Sequence, residues 1–278
     1  PVLIKNYLPT MNRSEIFLVM VSGMGTIAGS VMGTYIGMLG GTDPAAKVLF
    51  ATHLLSASVM AVPGSIVLAK MLCPQTEEAT DHVAISGKEK ENSNILDAIS
   101  SGTVTGVKLM TNIAAMLLVF ISLVALANYI TEGVIGRYTG LNDWIVKITD
   151  GKAQGLTFQF ILGVITSPFM WLIGVPSQDI MLVGSLLGQK TILNEFVAYF
   201  QLQQWKDAGL FMYEKSILMS TYILCGFANI SSIGILLGGL GVLAPEKRGL
   251  ISRIGVPAMI GGALVSVLSA TIIGMILG

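Results

Sequence analysis

Uncharged stretches of bilayer length divide the chain. About 20 apolar residues are needed to cross the hydrocarbon core of a membrane as a helix. Five stretches without Asp, Glu, Lys or Arg reach that length, at residues 16–42, 48–69, 109–131, 216–245 and 254–278. Each is predicted to be helical, because lipid offers no hydrogen-bond partner to a free backbone amide or carbonyl. The pattern therefore predicts an all-α polytopic membrane protein.

Two further apolar stretches are interrupted before they reach the length of a span. Residues 153–178 contain Pro168 and end in a Gly-Val-Pro corner, so a helix there is predicted to break or turn sharply. Residues 180–189 provide only 10 positions before Lys190. We interpret residues 175–201 as a re-entrant helical hairpin with its tip near residues 188–191. A single kinked crossing with an interfacial end is the alternative.

The polar segments between these stretches indicate loops and membrane interfaces. Residues 73–94 carry closely spaced charges and predict a solvated loop, and residues 94–108 predict a helix on the membrane surface with Asn94 as its cap. Residues 137–152 mix aromatic and polar side chains and suit the opposite interface. Counting Lys and Arg on alternating sides gives nine on the N-terminal side and six on the other. This bias predicts a cytoplasmic N-terminus and an extracellular C-terminus.

Composition agrees with a membrane protein and excludes several function classes. Hydrophobic residues make up 53% of the chain and charged residues 12%, against about 25% charged residues in soluble domains. The 16 basic and 16 acidic residues cancel, which gives no support to nucleic-acid binding. Two cysteines and two histidines give no support to a zinc cluster, and Gln189 stands where a phosphate-binding loop needs glycine. We therefore predict neither an enzyme nor a bound cofactor.

Two of the long stretches share an interruption. Residues 23–33 (GMGTIAGSVMG) and residues 226–234 (GFANISSIG) place glycines and side-chain oxygens in the middle of a span. Paired interruptions in two halves that run in opposite directions are typical of inverted-repeat transporters, in which unwound backbone lines the cavity. Around Thr26 and Ile27 we favour a local unwinding that exposes carbonyl oxygens. A close helix-packing face is predicted instead for the following glycines of the same series, Gly33, Gly37 and Gly41.

Glu195 is the acidic residue of greatest interest. It follows the predicted hairpin tip, and an acid at membrane depth marks a substrate or ion site. The alternative is a shallow hairpin with Glu195 in water. Asn229 and Ser232 in the second interruption suit either hydrogen bonds between helices or, together with Phe227, a polar small ligand such as a sugar or a base. We favour the ligand.

Two long runs in the second half of the chain resemble the concentrative nucleoside transporters. They are residues 174–202 (GVPSQDIMLVGSLLGQKTILNEFVAYFQL) and residues 225–248 (CGFANISSIGILLGGLGVLAPEKR). The resemblance extends upstream over essentially the whole chain, and it implies a homotrimer whose protomers hold a scaffold and a mobile transport domain. The implied parts are residues 1–72 and 158–278 in the transport domain, residues 73–108 as a cytoplasmic loop with an interfacial helix, and residues 109–157 as a scaffold helix with an extracellular segment.

The resemblance also implies roles for particular residues. The ribose hydroxyls would be bound by Glu195, Asn229 and Ser232. The other implied contacts are Phe227 against the sugar, Val31 near the base, and oxygens of Thr26 and Ile27 around a coupling sodium ion. The implied function is cation-coupled uptake of nucleosides across the cytoplasmic membrane by alternating access, with sodium or a proton as the coupling ion.

The sequence leaves several alternatives open. A channel with a polar pore would use the same helix interruptions. In the resembling family about three spans and a first hairpin precede the position of Pro1, which implies that the chain is the C-terminal part of a longer transporter or one half of a split one. Such a part could lack transport activity until it is assembled. Sodium or proton coupling and pyrimidine or purine preference stay open, because half of the ion and base contacts would lie in the preceding hairpin.

Overall fold

The structure is a computed structural model that describes residues 7–77, 94–149, 151 and 153–278. These residues form helices and contain no strand, so the all-α prediction is confirmed. Most of the predicted polar loop at residues 73–94 lies outside the described part. The chain divides into two compact units, one combining Pro1–His82 with Gln159–Gly278 and the other comprising Val83–Phe158.

The first unit contains two broken helices, a hairpin and three continuous helices. Its helices are α1 (Arg13–Gly25), α2 (Gly29–Gly40), α3 (Pro44–Leu72), α7 (Phe158–Leu172), α8 (Ile180–Ile192), α9 (Glu195–Asp207), α10 (Glu214–Leu224), α11 (Ile230–Leu243) and α12 (Arg248–Ile276). Within the described residues, three segments are long and apolar enough to cross a membrane, namely Arg13–Gly40, Pro44–Leu72 and Pro245–Ile276.

The second unit is built on α4 (Ile95–Asn128), which is 34 residues long. The predicted surface helix at residues 94–108 and the predicted span at residues 109–131 are therefore not separate elements, because no proline or cap interrupts the helical hydrogen bonds between them. Asn94 caps α4 as predicted, accepting a hydrogen bond from the amide of Asp97. A π-helical turn (Tyr129–Gly136), α5 (Arg137–Thr139) and α6 (Leu141–Ile148) follow.

The first broken helix opens where the sequence predicts. A capping box of Asn12 and Glu15 starts α1, and Thr26 and Ala28 adopt extended backbone conformations between α1 and α2. The predicted glycine packing is wrong for the described residues, since none of their atoms lies within 4 Å of a Cβ built on Gly33, Gly37 or Gly41. That glycine face is open in the described part of the chain.

Of the two predicted interruptions, Pro168 does not break the helix, and the Gly-Val-Pro corner does turn the chain. Proline removes the amide that would bond to the carbonyl of Val164, but a proline is more frequent in transmembrane helices than in helices of soluble proteins. The chain turns instead at Gly174, which has φ +82° after α7 has ended.

The predicted hairpin is formed by α8 and α9, but its tip lies at residues 193–194 and not at residues 188–191. Asn194 caps α9 by accepting a hydrogen bond from Val197, which fixes the turn there. Gly188 is helical, and a Cβ on it would lie 2.6 Å from Leu162, so this glycine serves close packing. Each arm has 13 residues, about 20 Å of helix, which is shorter than the roughly 30 Å hydrocarbon core.

The second broken helix consists of α10 and α11, with non-helical backbone at residues 225–229 between them. Asn229 starts α11 through a capping box with Ser232. The continuous helix α12 packs against α1, α3, α10 and α11. It therefore fixes both broken helices to one another within the first unit.

Candidate functional site

Glu195 is the first residue of α9 and lies at the hairpin tip with only 4% of its surface exposed. A buried carboxylate needs hydrogen-bond partners, because removing it from water is costly. The hydroxyl of Tyr35 donates to Oε1 at 3.3 Å, and the side-chain amide of Asn229 (Nδ2) donates to Oε2 at 3.1 Å. The carboxylate thus joins α2, the hairpin and the second broken helix.

Asn229 and Ser232 form the N-terminal cap of α11. Asn229 Oδ1 accepts hydrogen bonds from the Ser232 amide at 2.8 Å and from the Ser231 hydroxyl at 2.7 Å. The Ser232 hydroxyl in turn donates to the backbone carbonyl of Asn229 and accepts a hydrogen bond from the backbone amide of Asn229. The structure therefore brings Asn229 to Glu195, while the hydroxyl of Ser232 is bonded to the Asn229 backbone.

The two helix breaks touch one another at glycine. Gly226 has φ +125°, and a Cβ built on it would lie 2.8 Å from the carbonyl oxygen of Gly25 and 3.0 Å from that of Met24. Only a residue without a side chain allows this approach. The end of α1 and the break between α10 and α11 consequently form one continuous region of non-helical backbone.

The other predicted site residues lie in or beside the breaks. Thr26 donates its hydroxyl to the carbonyl of Ser22, and no described residue donates a hydrogen bond to the carbonyl of Thr26 or Ile27. Val31 is partly buried in α2 and packs against the apolar cluster that contains Ile27 and Tyr35. Phe227 is half-buried in the second break.

Tyr35 is a site residue that the sequence reasoning missed. Its ring is fully buried and stacks on Tyr199 with a centroid separation of 4.1 Å. Tyr199 is itself fixed by a hydrogen bond from its hydroxyl to the carbonyl of Thr221. The available signal was the position of Tyr35 one helical turn after Val31, on the same face of α2.

Lys190 is a second residue to which the sequence reasoning assigned no role. It lies in the last turn of α8, is fully buried, and donates to the carbonyl of Ile223 at 2.8 Å and to the hydroxyl of Ser266 at 2.9 Å. The hairpin therefore contacts the second broken helix through one cation and one anion, Lys190 and Glu195.

Comparison with known proteins identifies the family. The family described as "Na+ dependent nucleoside transporter C-terminus" matches residues 53–274, which is most of the chain. The chain belongs to this family, the concentrative nucleoside transporters. The resemblance predicted from the sequence is confirmed, and so is the prediction that the chain is not an enzyme, because the related proteins are transporters.

Two named relatives illustrate the similarity. The chain is 38% identical to sodium/nucleoside cotransporter 1 of Rattus norvegicus over 290 residues, covering 99% of this chain and 41% of the relative. It is 37% identical to the nucleoside permease NupC of Helicobacter pylori over 280 residues, covering 100% of this chain and 61% of the permease. The chain thus spans less than two thirds of the length of either relative.

Solved structures of one transporter share the fold. The chain matches CNTnw in an inward-facing substrate-bound state with a TM-score of 0.82 and 34% identity, covering 100% of this chain and 61% of that one. It matches CNTnw in an outward-facing state with a TM-score of 0.82 and 35% identity, covering 99% of this chain and 61% of that one. The helical membrane-transporter architecture is therefore shared.

Proposed function

We propose that the chain provides much of the substrate site of a cation-coupled nucleoside transporter. The observation that carries the proposal is the buried carboxylate of Glu195, held between Tyr35 and Asn229 where the hairpin meets the second helix break. An ionised carboxylate has about four acceptor positions, and two protein donors leave room for substrate hydroxyls. Two neighbouring ribose hydroxyls would form strong, charge-assisted hydrogen bonds there.

The other substrate contacts are proposed from the family and from their places in the breaks. Asn229 and Ser232 would contact ribose hydroxyls, since a hydroxyl that donates once still has a second acceptor position. Phe227 would pack against the sugar, and Val31 would lie near the base. Relatives of the chain are named as nucleoside transporters, which supports this class of substrate.

The coupling cation is proposed to bind at the first helix break. The carbonyl oxygens of Thr26 and Ile27 accept no hydrogen bond from a described residue, and such oxygens are suitable ligands for a hard cation. The family description and the rat relative both name sodium, so sodium is the first cation to test and a proton the second.

Alternating access is the mechanism that we propose for the complete protein in the cell membrane. Residues 1–72 and 158–278 would form the mobile transport domain, and residues 109–157 would belong to a scaffold at the centre of a homotrimer. The N-terminal end would face the cytoplasm and the C-terminus the outside. CNTnw has been solved in inward-facing and outward-facing states, which supports this kind of motion in the family.

Reconstitution of the natural full-length protein into proteoliposomes tests the function. We expect an inward sodium gradient to drive saturable uptake of labelled uridine or adenosine, and unlabelled nucleoside inside the vesicles to accelerate entry by counterflow. Single-channel currents without counterflow would favour the channel. Uptake by residues 1–278 expressed alone would show that no further part is needed for transport.

Replacing Tyr35 by Phe should weaken nucleoside binding moderately. The change removes one donor to Glu195 and keeps the ring that stacks on Tyr199. Because 3.3 Å is long for a hydroxyl hydrogen bond, we expect a loss of about 1 kcal/mol, below the usual range for bonds to charged groups, and therefore roughly a fivefold rise in KM. Concentration-dependent uptake measures it. Tyr138→Phe, at an exposed position of the second unit, is the matched control, and equal KM values for both variants would exclude a role of the Tyr35 hydroxyl.

A further inference from the structure

The side chain of Lys190, in α8, reaches the C-terminal end of α10. This side chain is fully buried, and its ammonium donates to the carbonyl of Ile223 and to the hydroxyl of Ser266. The hydroxyl of Ser266 bridges Lys190 to the break, because it donates at 2.6 Å to the carbonyl of Cys225. The last carbonyls of a helix lack partners within the helix. One buried ammonium therefore binds the carbonyl oxygen of Ile223 directly and is linked to that of Cys225 through Ser266.

The hairpin places opposite charges on opposite sides of that break. Lys190 meets the C-terminal end of α10, which carries partial negative charge, and Glu195 meets Asn229 at the N-terminal start of α11, which carries partial positive charge. Each charge thus complements the helix end that it contacts. A buried ammonium bound to neutral oxygens has a high desolvation penalty, so simple packing gives no reason for lysine at this position.

We propose that Lys190 is a tethered cation, which takes the place of a diffusible cation at the second helix break and positions Asn229 against Glu195. The first break differs, since no described side chain donates to the carbonyls of Thr26 and Ile27. One repeat would then use a mobile cation and the other a fixed one. Lys190 is a positioning residue, and its effect on transport rests on the proposed function of Glu195 and Asn229.

Truncation of Lys190 provides a test that does not depend on the substrate. Lys190→Ala removes three methylenes and the ammonium, and leaves a space that matches n-propylammonium beside Ile223, Cys225 and Ser266. We expect this amine to raise the Tm of the purified full-length variant by about 1–2 °C at ten times its Kd. Lys190→Met fills the space without charge, so this variant and the wild type should show no rise. Sodium chloride of equal ionic strength, propanol and tetramethylammonium are the ligand controls.

Each result decides the proposal. Stabilisation of Lys190→Ala by propylammonium, without an effect of propanol or tetramethylammonium, supports a cation site. No stabilisation, an equal effect of propanol, or an equal effect on Lys190→Met would overturn it. The proposed function fails separately, through absence of nucleoside uptake by the wild type.

Uptake gives the second readout. We expect KM of Lys190→Ala to rise roughly tenfold, as for loss of a hydrogen-bonded charge, with a smaller change in maximal rate, and propylammonium to restore it. If Lys190→Ala does not fold, Ser266→Ala replaces it, because this change breaks the link to Cys225 and keeps the buried ammonium. A KM raised several-fold at unchanged maximal rate supports the proposal, and a wild-type KM refutes it.

Discussion

Replacing Glu195 by Gln is expected to lower nucleoside uptake, measured as maximal rate over KM, by roughly 100-fold, because two charge-assisted hydrogen bonds to the substrate are lost. Glutamine has the same shape, but its amide group is a donor that would face either Tyr35 or Asn229, both of which already donate to this position. The membrane spans do not involve this carboxylate, so insertion should be unchanged.

Comparing uptake of a ribonucleoside with uptake of its 2′-deoxy analogue tests whether Glu195 contacts the ribose. If the carboxylate accepts bonds from the 2′ and 3′ hydroxyls, the wild type should prefer a ribonucleoside to its 2′-deoxy analogue, and Glu195→Gln should reduce that preference. Glu214→Gln is the matched control, since Glu214 also lies in the first turn of a helix but is exposed. Unchanged uptake by Glu195→Gln, or an unchanged preference for ribose, would remove Glu195 from the site.

The broken helices were predictable from sequence because their cause is local. Glycines and side-chain oxygens within an apolar span weaken a helix and satisfy the backbone where it opens. The first break lies within the predicted segment, and the second covers residues 225–229, because α11 has already begun at Ile230. The hairpin was also predictable, because two arms of this length cannot cross a bilayer singly. Its exact turn was predicted wrongly, because Gly188 was interpreted as a turn residue although it lies within α8 and packs against Leu162.

The capping residue was the better signal for the turn. Asn194 directly precedes Glu195 and accepts a hydrogen bond from the amide of Val197, so recognising it as the cap of α9 would have placed the tip correctly. The hydrogen-bond partners of Lys190 and Glu195 could not be predicted from local sequence patterns, because they lie far away along the chain. Tyr35 is 160 positions from Glu195, and Ser266 is 76 positions from Lys190. Such pairs depend on how helices pack, which no spacing in this sequence encodes.

Replacing Gly226 by Ala is expected to destabilise the folded protein more than a Gly-to-Ala substitution at any other glycine of the second broken helix. A positive φ of +125° is strained for a residue with a side chain, and the new Cβ would lie 2.8 Å from the backbone oxygen of Gly25, which cannot rotate away. Strain and displaced backbone together should cost about 2–4 kcal/mol. We expect Tm of the full-length protein in detergent to fall by about 2–4 °C.

The same substitution should also change the cation dependence of uptake, because the displaced oxygen belongs to the end of α1, directly before Thr26 and Ile27. We expect the sodium concentration for half-maximal uptake to rise in Gly226→Ala. Gly234→Ala is the matched control, since this glycine lies within α11 and no described atom comes within 4 Å of its added Cβ. Alanine favours a helix interior over glycine, so the control should retain its Tm and its sodium dependence. If both variants behaved alike, contact between the two helix breaks would not couple the cation to the substrate.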